Sequence, residues 1–165
     1  MRFVNCVTGF GSLLMLTVSV AAFAKTEVKE PVSVVLAAYK VTTSQSGEET
    51  VQVAKKVKPK DVVEYQATYT NNTTKTIKNL VATLPIPTGT QFLAKSSPAG
   101  VQASTDGVSF AAMPLKRKVG SQLVNIPLQE YRALRWTIVE LPAGKSVKVT
   151  AQTRVNSISA PVNAN

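Results

Sequence analysis

The feature that most constrains this chain is a two-residue alternation of oily and polar side chains. Near the C-terminus Val147, Val149, Ala151 and Val155 alternate with Ser146, Lys148, Thr150, Gln152 and Arg154. Successive side chains of an extended strand point to opposite faces, so this pattern predicts a strand with one face buried and the other wet. Val63, Tyr65, Ala67 and Tyr69 repeat the pattern earlier, as do Leu134, Trp136 and Ile138. Less regular strands are expected over residues 32–41, 51–57, 77–84, 100–103 and 108–112. Turn residues fall between them: Ser46-Gly47, Pro59, Asn71-Asn72, Pro87-Thr88-Gly89, Pro98, Asp106-Gly107 and Pro142-Ala143-Gly144. Asp106-Gly107 reads as a tight hairpin turn joining residues 101–104 to residues 108–112. Residues 115–128, with Lys116-Arg117-Lys118 and Pro127, read as either a long hairpin or a crossing loop.

Short alternating strands separated by turns every ten or so residues, with no helix of useful length competing, predict one fold class. It is all-β: an immunoglobulin-like, two-sheet antiparallel β-sandwich of about seven to nine strands. Its inner faces would carry Tyr65 and Trp136.

The first residues set the expected address. Met1-Arg2 precede the apolar run Leu13 to Ala21, and Ala22-Phe23-Ala24 has the small-x-small form cut by signal peptidase. The run is shorter than the ~20 residues a membrane-spanning helix needs. The expected organisation is a signal peptide over 1–24, a sandwich domain over 25–156 and a flexible tail over 157–165, with export to the periplasm or the cell exterior. No transmembrane span is expected once the leader is removed. The single cysteine, Cys6, leaves with the leader, and the sequence has no histidine. Imidazole is thereby closed as a general base, nucleophile activator or metal ligand. Beyond the leader, 18 Lys and Arg stand against 9 Asp and Glu. Such a basic surface confers solubility and raises encounter rates with anionic envelope groups. Nucleic acid is not expected as a partner of an exported chain this poor in aromatics.

Candidate chemistry is sparse. Glu48-Glu49 is the only adjacent acidic pair after the leader, and in an extended segment its members point apart and stay solvated. An intramolecular Lys-to-Asn bond needs a lysine, an asparagine and an acid buried together, and Glu64, Lys78 and Asn79 supply those residue types without a spacing that selects them. Lys116, Arg117 and Lys118, with Arg132 and Arg135, form a candidate anion-binding patch, Arg offering bidentate geometry to phosphate or uronate. The competing reading is a loop kept soluble by charge. Trp136 reads as core rather than as a sugar-stacking platform. No catalytic residue, metal ligand or cofactor is expected, and the domain is expected to be a monomer.

Two segments together resemble a known family. Residues 57–72, Val-Lys-Pro-Lys-Asp-Val-Val-Glu-Tyr-Gln-Ala-Thr-Tyr-Thr-Asn-Asn, and residues 80–92, Leu-Val-Ala-Thr-Leu-Pro-Ile-Pro-Thr-Gly-Thr-Gln-Phe, form the first. Residues 134–150, with Trp136-Thr137-Ile138 and the turn Leu141-Pro142-Ala143-Gly144, form the second. They are similar in order and spacing to the conserved-repeat domain of bacterial surface proteins, a domain of unknown function bearing the number eleven. The resemblance covers roughly residues 50–155 and implies an immunoglobulin-like sandwich without catalysis. The chain departs from the family in having a single copy and in carrying Leu84 before Pro85, where aspartate is common. From leader, strands and resemblance together the expected function is non-enzymatic: a structural or protein-interaction module of the cell envelope. The alternative is an accessory domain binding carbohydrate or an anionic envelope polymer through basic loops. The expected partner is accordingly an envelope protein or an anionic polysaccharide.

Overall fold

A computed structural model describes residues 30–157. The expected leader, its cleavage site after Ala24, and all but the first residue of the expected tail lie outside the described residues. Among the described residues there are eleven strands: β1 (Val32–Thr43), β2 (Glu49–Val53), β3 (Val62–Asn71), β4 (Ile77–Pro85), β5 (Thr90–Ser97), β6 (Gln102–Ser104), β7 (Ala111–Ala112), β8 (Lys116–Val119), β9 (Gln122–Asn125), β10 (Ala133–Leu141) and β11 (Ser146–Val155). A single turn of 3-10 helix, Leu128–Glu130, precedes β10.

Nine of the strands build the all-β antiparallel sandwich, one sheet ordered β2-β1-β3-β11-β5 and the other β4-β10-β6-β7. The chain changes sheet between β3 and β4, β4 and β5, β5 and β6, and β10 and β11, so strands distant in sequence are stitched together. β8 and β9 form a separate hairpin.

The alternation in sequence becomes the inner face. Ala67 and Tyr69 of β3 and Val149 and Ala151 of β11 meet Ala82 and Leu84 of β4 and Leu134 and Trp136 of β10. Phe92, wholly buried, and Tyr131 fill one end, their ring centroids 6.1 Å apart. Trp136 is 2 % exposed and its indole N–H donates to the Pro98 carbonyl at 2.8 Å, so it is core and its polar edge is satisfied. Tyr65, expected in the core, is only half buried.

Two polar side chains tie the layers. Asn71, at the end of β3, is wholly buried, and its amide N–H groups donate to the carbonyls of Lys75 and Leu141 at 2.8 and 2.9 Å. Its amide oxygen accepts from the Thr73 N–H at 2.9 Å and the Thr73 hydroxyl at 2.7 Å, so all four of its hydrogen-bonding positions are filled. The Tyr69 hydroxyl, reaching across from the other sheet, donates to the Thr83 carbonyl at 2.8 Å and accepts the Thr83 N–H at 3.0 Å. Burial pushes the Tyr69 phenol up, against the opposing pull of that Thr83 bond.

Four local expectations change. β5 had no counterpart in the strand reading, because Ala94 sits at φ 56° and the register with β11 shifts there, which breaks the alternation after Phe92. β2 spans Glu49–Val53 rather than 51–57, since the Lys55 N–H turns back onto the Val53 carbonyl. Asp106-Gly107 is not a tight two-residue turn: Ala103 pairs with Ala111 across a wider loop. The Asp106 carboxylate accepts the Val108 and Ser109 N–H groups, both at 2.8 Å, and so removes them from the ladder. Residues 115–128 resolve as a hairpin, Val119 opposite Gln122 across Gly120-Ser121. Gly120 has φ 62° while Ser121 does not take a positive φ, the pattern of a type II′ turn. The Tyr131 hydroxyl anchors its base by accepting the Leu115 N–H at 2.8 Å.

Candidate functional site

An antiparallel sandwich exposes unpaired backbone at its sheet edges, and proteins ordinarily blunt them. Most edges here are blunted. β4 carries Asn79 at φ 53°, its Thr83 peptide groups are taken by Tyr69, and it ends in Pro85. β5 is broken by the irregularity at Ala94. β7 is two residues long.

The β1–β2 hairpin is held down in another way. Glu49 belongs to the strand at one side of the five-stranded sheet, yet it accepts from Lys95 Nζ of the opposite edge at 2.6 Å and from Gln152 Nε2 at 3.0 Å. The end of the hairpin must therefore curl across the sheet's outer face. Gln152 also donates to Glu64, as does Gln66 at 2.7 Å, so a polar seam runs Lys95, Glu49, Gln152, Glu64, Gln66. Burial of Gln152 to 5 % exposed follows, although alternation had placed it on the wet face. Glu49, expected to be solvated with Glu48, is instead paired, and the Lys95 ammonium first, then Gln152, hold its carboxyl below the usual range. At the same end Lys40 Nζ meets the Asp61 carboxylate at 2.8 Å, and that contact, with the Lys58 N–H, holds Asp61 low.

The N-terminal half of β1 lacks any such protection. β2 pairs with β1 only from Tyr39 to Thr43, and the Ala54 N–H closes the pairing on the Ala38 carbonyl at 3.0 Å. Peptide groups alternate in direction along a strand, so Val34 and Leu36 point theirs away from β3, like Ala38, and they meet no strand among the described residues. Ser33-Val34-Val35-Leu36-Ala37-Ala38 contains no charge, no proline and no glycine. Val34, Val35 and Leu36 are 49, 64 and 63 % exposed. Beside this edge Leu36, Ala38 and Tyr65, with Leu84, Pro85 and Pro87, line an apolar groove of about 280 Å³. Leu84 thus lines the groove with methyl groups.

The basic patch is placed differently. Lys116 and Lys118 lie exposed on one face of β8, with Arg117 on the other. Arg117 is engaged by Glu130 in a bidentate pair, 2.7 and 3.0 Å. Arg132 donates to the Gln129 and Tyr131 carbonyls at 2.7 and 3.1 Å. Arg135 stacks its guanidinium 3.5 Å over the Phe110 ring, with its buried Nε unpartnered among the described residues. All three guanidinium groups are thus committed within the protein, and Lys116 and Lys118 remain the open pair. Glu64, Lys78 and Asn79 are not assembled: Glu64 lies in the outer seam of one sheet, while Lys78 sits on the other sheet, 3.7 Å from Glu140. Among the described residues no three His, Cys, Asp or Glu gather as a metal site, and no helix is long and apolar enough to cross a membrane.

Compared with family models, with curated proteins and with solved structures, the chain matches none. The groove and edge were not found from sequence. The available signal was the uncharged stretch 31–39 in a chain with 19 Lys and Arg.

Proposed function

We propose that this chain is a non-enzymatic module of a bacterial cell envelope, exported by its leader, that works by binding another protein along the free edge of β1. One observation carries the reading: the edges of β4, β5 and β7 are bulged, short or plugged, whereas Val34 and Leu36 offer peptide groups unpaired among the described residues beside an apolar groove. Edge-strand addition uses backbone hydrogen bonds for affinity and alternate side chains for specificity. The likeness of residues 50–155 to the conserved-repeat domain of surface proteins supports an envelope setting. The test is a photo-crosslinking side chain at Leu36 in intact cells, with one at Val139 on the other sheet as control. A discrete protein adduct from Leu36 alone is expected; equal or absent adducts at both positions would overturn the reading.

A second reading, capture of an anionic polymer, is favoured by Lys116 and Lys118, which share a face and have no ion-pair partner among the described residues. It predicts binding to anionic envelope polysaccharide that added salt weakens and that Lys116→Ala with Lys118→Ala removes. It fails where the double variant binds as the parent does.

A further inference from the structure

The β1 edge has electrical polarity, and that polarity specifies what fits it. At one end the free stretch meets Ala54, where β2 leaves the sheet, and the next residues are Lys55 and Lys56, followed by Lys58 and Lys60. All four lysines are exposed, and none has an ion-pair partner among the described residues. At the opposite end stand Glu30 and Pro31, with Glu30 exposed. Between them the edge is uncharged.

An incoming strand therefore meets cations at one end, aliphatic side chains in the middle and a carboxylate at the other. A second copy of this chain is a poor occupant, because two strongly basic bodies, each with 18 Lys and Arg against 9 Asp and Glu beyond the leader, would be brought together with their lysines unneutralised. Every pairing in both sheets is antiparallel. An antiparallel addition would begin where β2 departs and run from Ala38 towards Val32, setting its N-terminal end against Lys55 and Lys56.

Resting on the reading of the β1 edge as the binding site, we propose that its occupant is an extended segment of another protein, acidic at its N-terminal end and alternating in apolar side chains after it. It adds antiparallel to residues 32–38. Its peptide groups bond those of Val34 and Leu36, and every second side chain turns towards the groove of Leu84, Pro85 and Pro87. The lysines fix direction and raise the on-rate, while the ladder and groove hold the strand.

The test uses the purified exported chain and fluorescent synthetic peptides sharing one threonine–valine alternating core. One carries paired glutamates before the core, one carries them after it, and one carries paired lysines before it. Fluorescence anisotropy should show the first binding about tenfold more tightly than the lysine version, with added salt narrowing the gap. Lys55→Glu with Lys56→Glu should reverse that preference. Leu36→Pro, which removes an outward N–H, and Leu36→Asp, which leaves the backbone intact, should each weaken binding by about tenfold or more with the circular dichroism unchanged. Equal binding of the glutamate and lysine peptides, or of the two glutamate placements, would overturn the proposal. A Leu36-dependent dimer in sedimentation would overturn it in favour of a second copy. If the in-cell adduct at Leu36 forms while the acidic preference is absent, only the partner chemistry fails; if both are absent, the edge itself is not the site.

Discussion

Replacing Asn71 tests whether the corner of the sandwich is held by one saturated amide. In Asn71→Ala the backbone bonds, Asn71 N–H to Lys145 and Gly144 N–H to Asn71, persist. The Thr73 hydroxyl, released from the Asn71 oxygen, can turn its proton to the Lys75 carbonyl 2.9 Å away, so the groups left without partners are the Leu141 carbonyl and the Thr73 N–H. The orphaned carbonyl is buried and the orphaned N–H part-buried, and together they give a loss of about 2–4 kcal/mol, a large share of the ~5–15 kcal/mol that holds a domain of this size. Urea unfolding should show the midpoint falling with an unchanged slope, and the melting temperature should drop by roughly 10 °C. Asn71→Asp is sharper, because the replaced amide nitrogen becomes an oxygen facing two carbonyl oxygens. Burial and that apposition raise the new carboxyl's folded value above its unfolded one, so the folded form holds the proton and the variant loses stability as pH climbs above about 4. Relative to the parent it should therefore unfold more easily at pH 7 than at pH 4.5, whereas Asn71→Ala should follow the parent between those values. Losses below ~1 kcal/mol in both variants, or an Asn71→Asp curve flat in pH, would refute the argument that the amide is buried and fully used.

The parent protein should behave oppositely towards acid. Asp61, Asp106 and Glu49 all have folded values below their unfolded ones, through Lys40, the Val108 amide and Lys95 respectively. Their contribution is present above the unfolded values of 3.8 and 4.5 and is lost as pH falls, so the urea midpoint should drop between pH 6 and pH 3, less so in Asp106→Asn. Gly120→Ala meets no neighbouring atom but forces a side chain to φ 62°, costing ~1–2 kcal/mol. Because β8 and β9 form a separate hairpin, amide exchange should accelerate there about 5–30-fold and stay unchanged in β3 and β11. Tyr69→Phe should free the Thr83 peptide groups and cost ~1–2 kcal/mol, and light scattering should show more association than in the parent as the β4 edge opens.

The sandwich was legible in the sequence because β3, β10 and β11 are each buried on one face, and period-two patterning reports that arrangement directly. Trp136 was assigned to the core on the same ground. β5 escaped because the backbone irregularity at Ala94 flips the side-chain phase, which a fixed period cannot follow. The β8–β9 turn had a readable signal, Gly120-Ser121 between short mixed strands, that the surrounding charges masked. The seam from Lys95 to Gln66 was not readable, since it joins residues from four strands brought together only when the hairpin curls over. The basic patch was legible as composition alone. Which guanidinium meets Glu130 and which meets Phe110 depends on tertiary placement.

If residues 32–38 of β1 are the binding site proposed above, each molecule takes up one strand there. A body that accepts a single strand and offers none in return ends a chain of such additions rather than lengthening it. Its abundance relative to its partner would then limit how far an assembly grows, in the manner of a stopper.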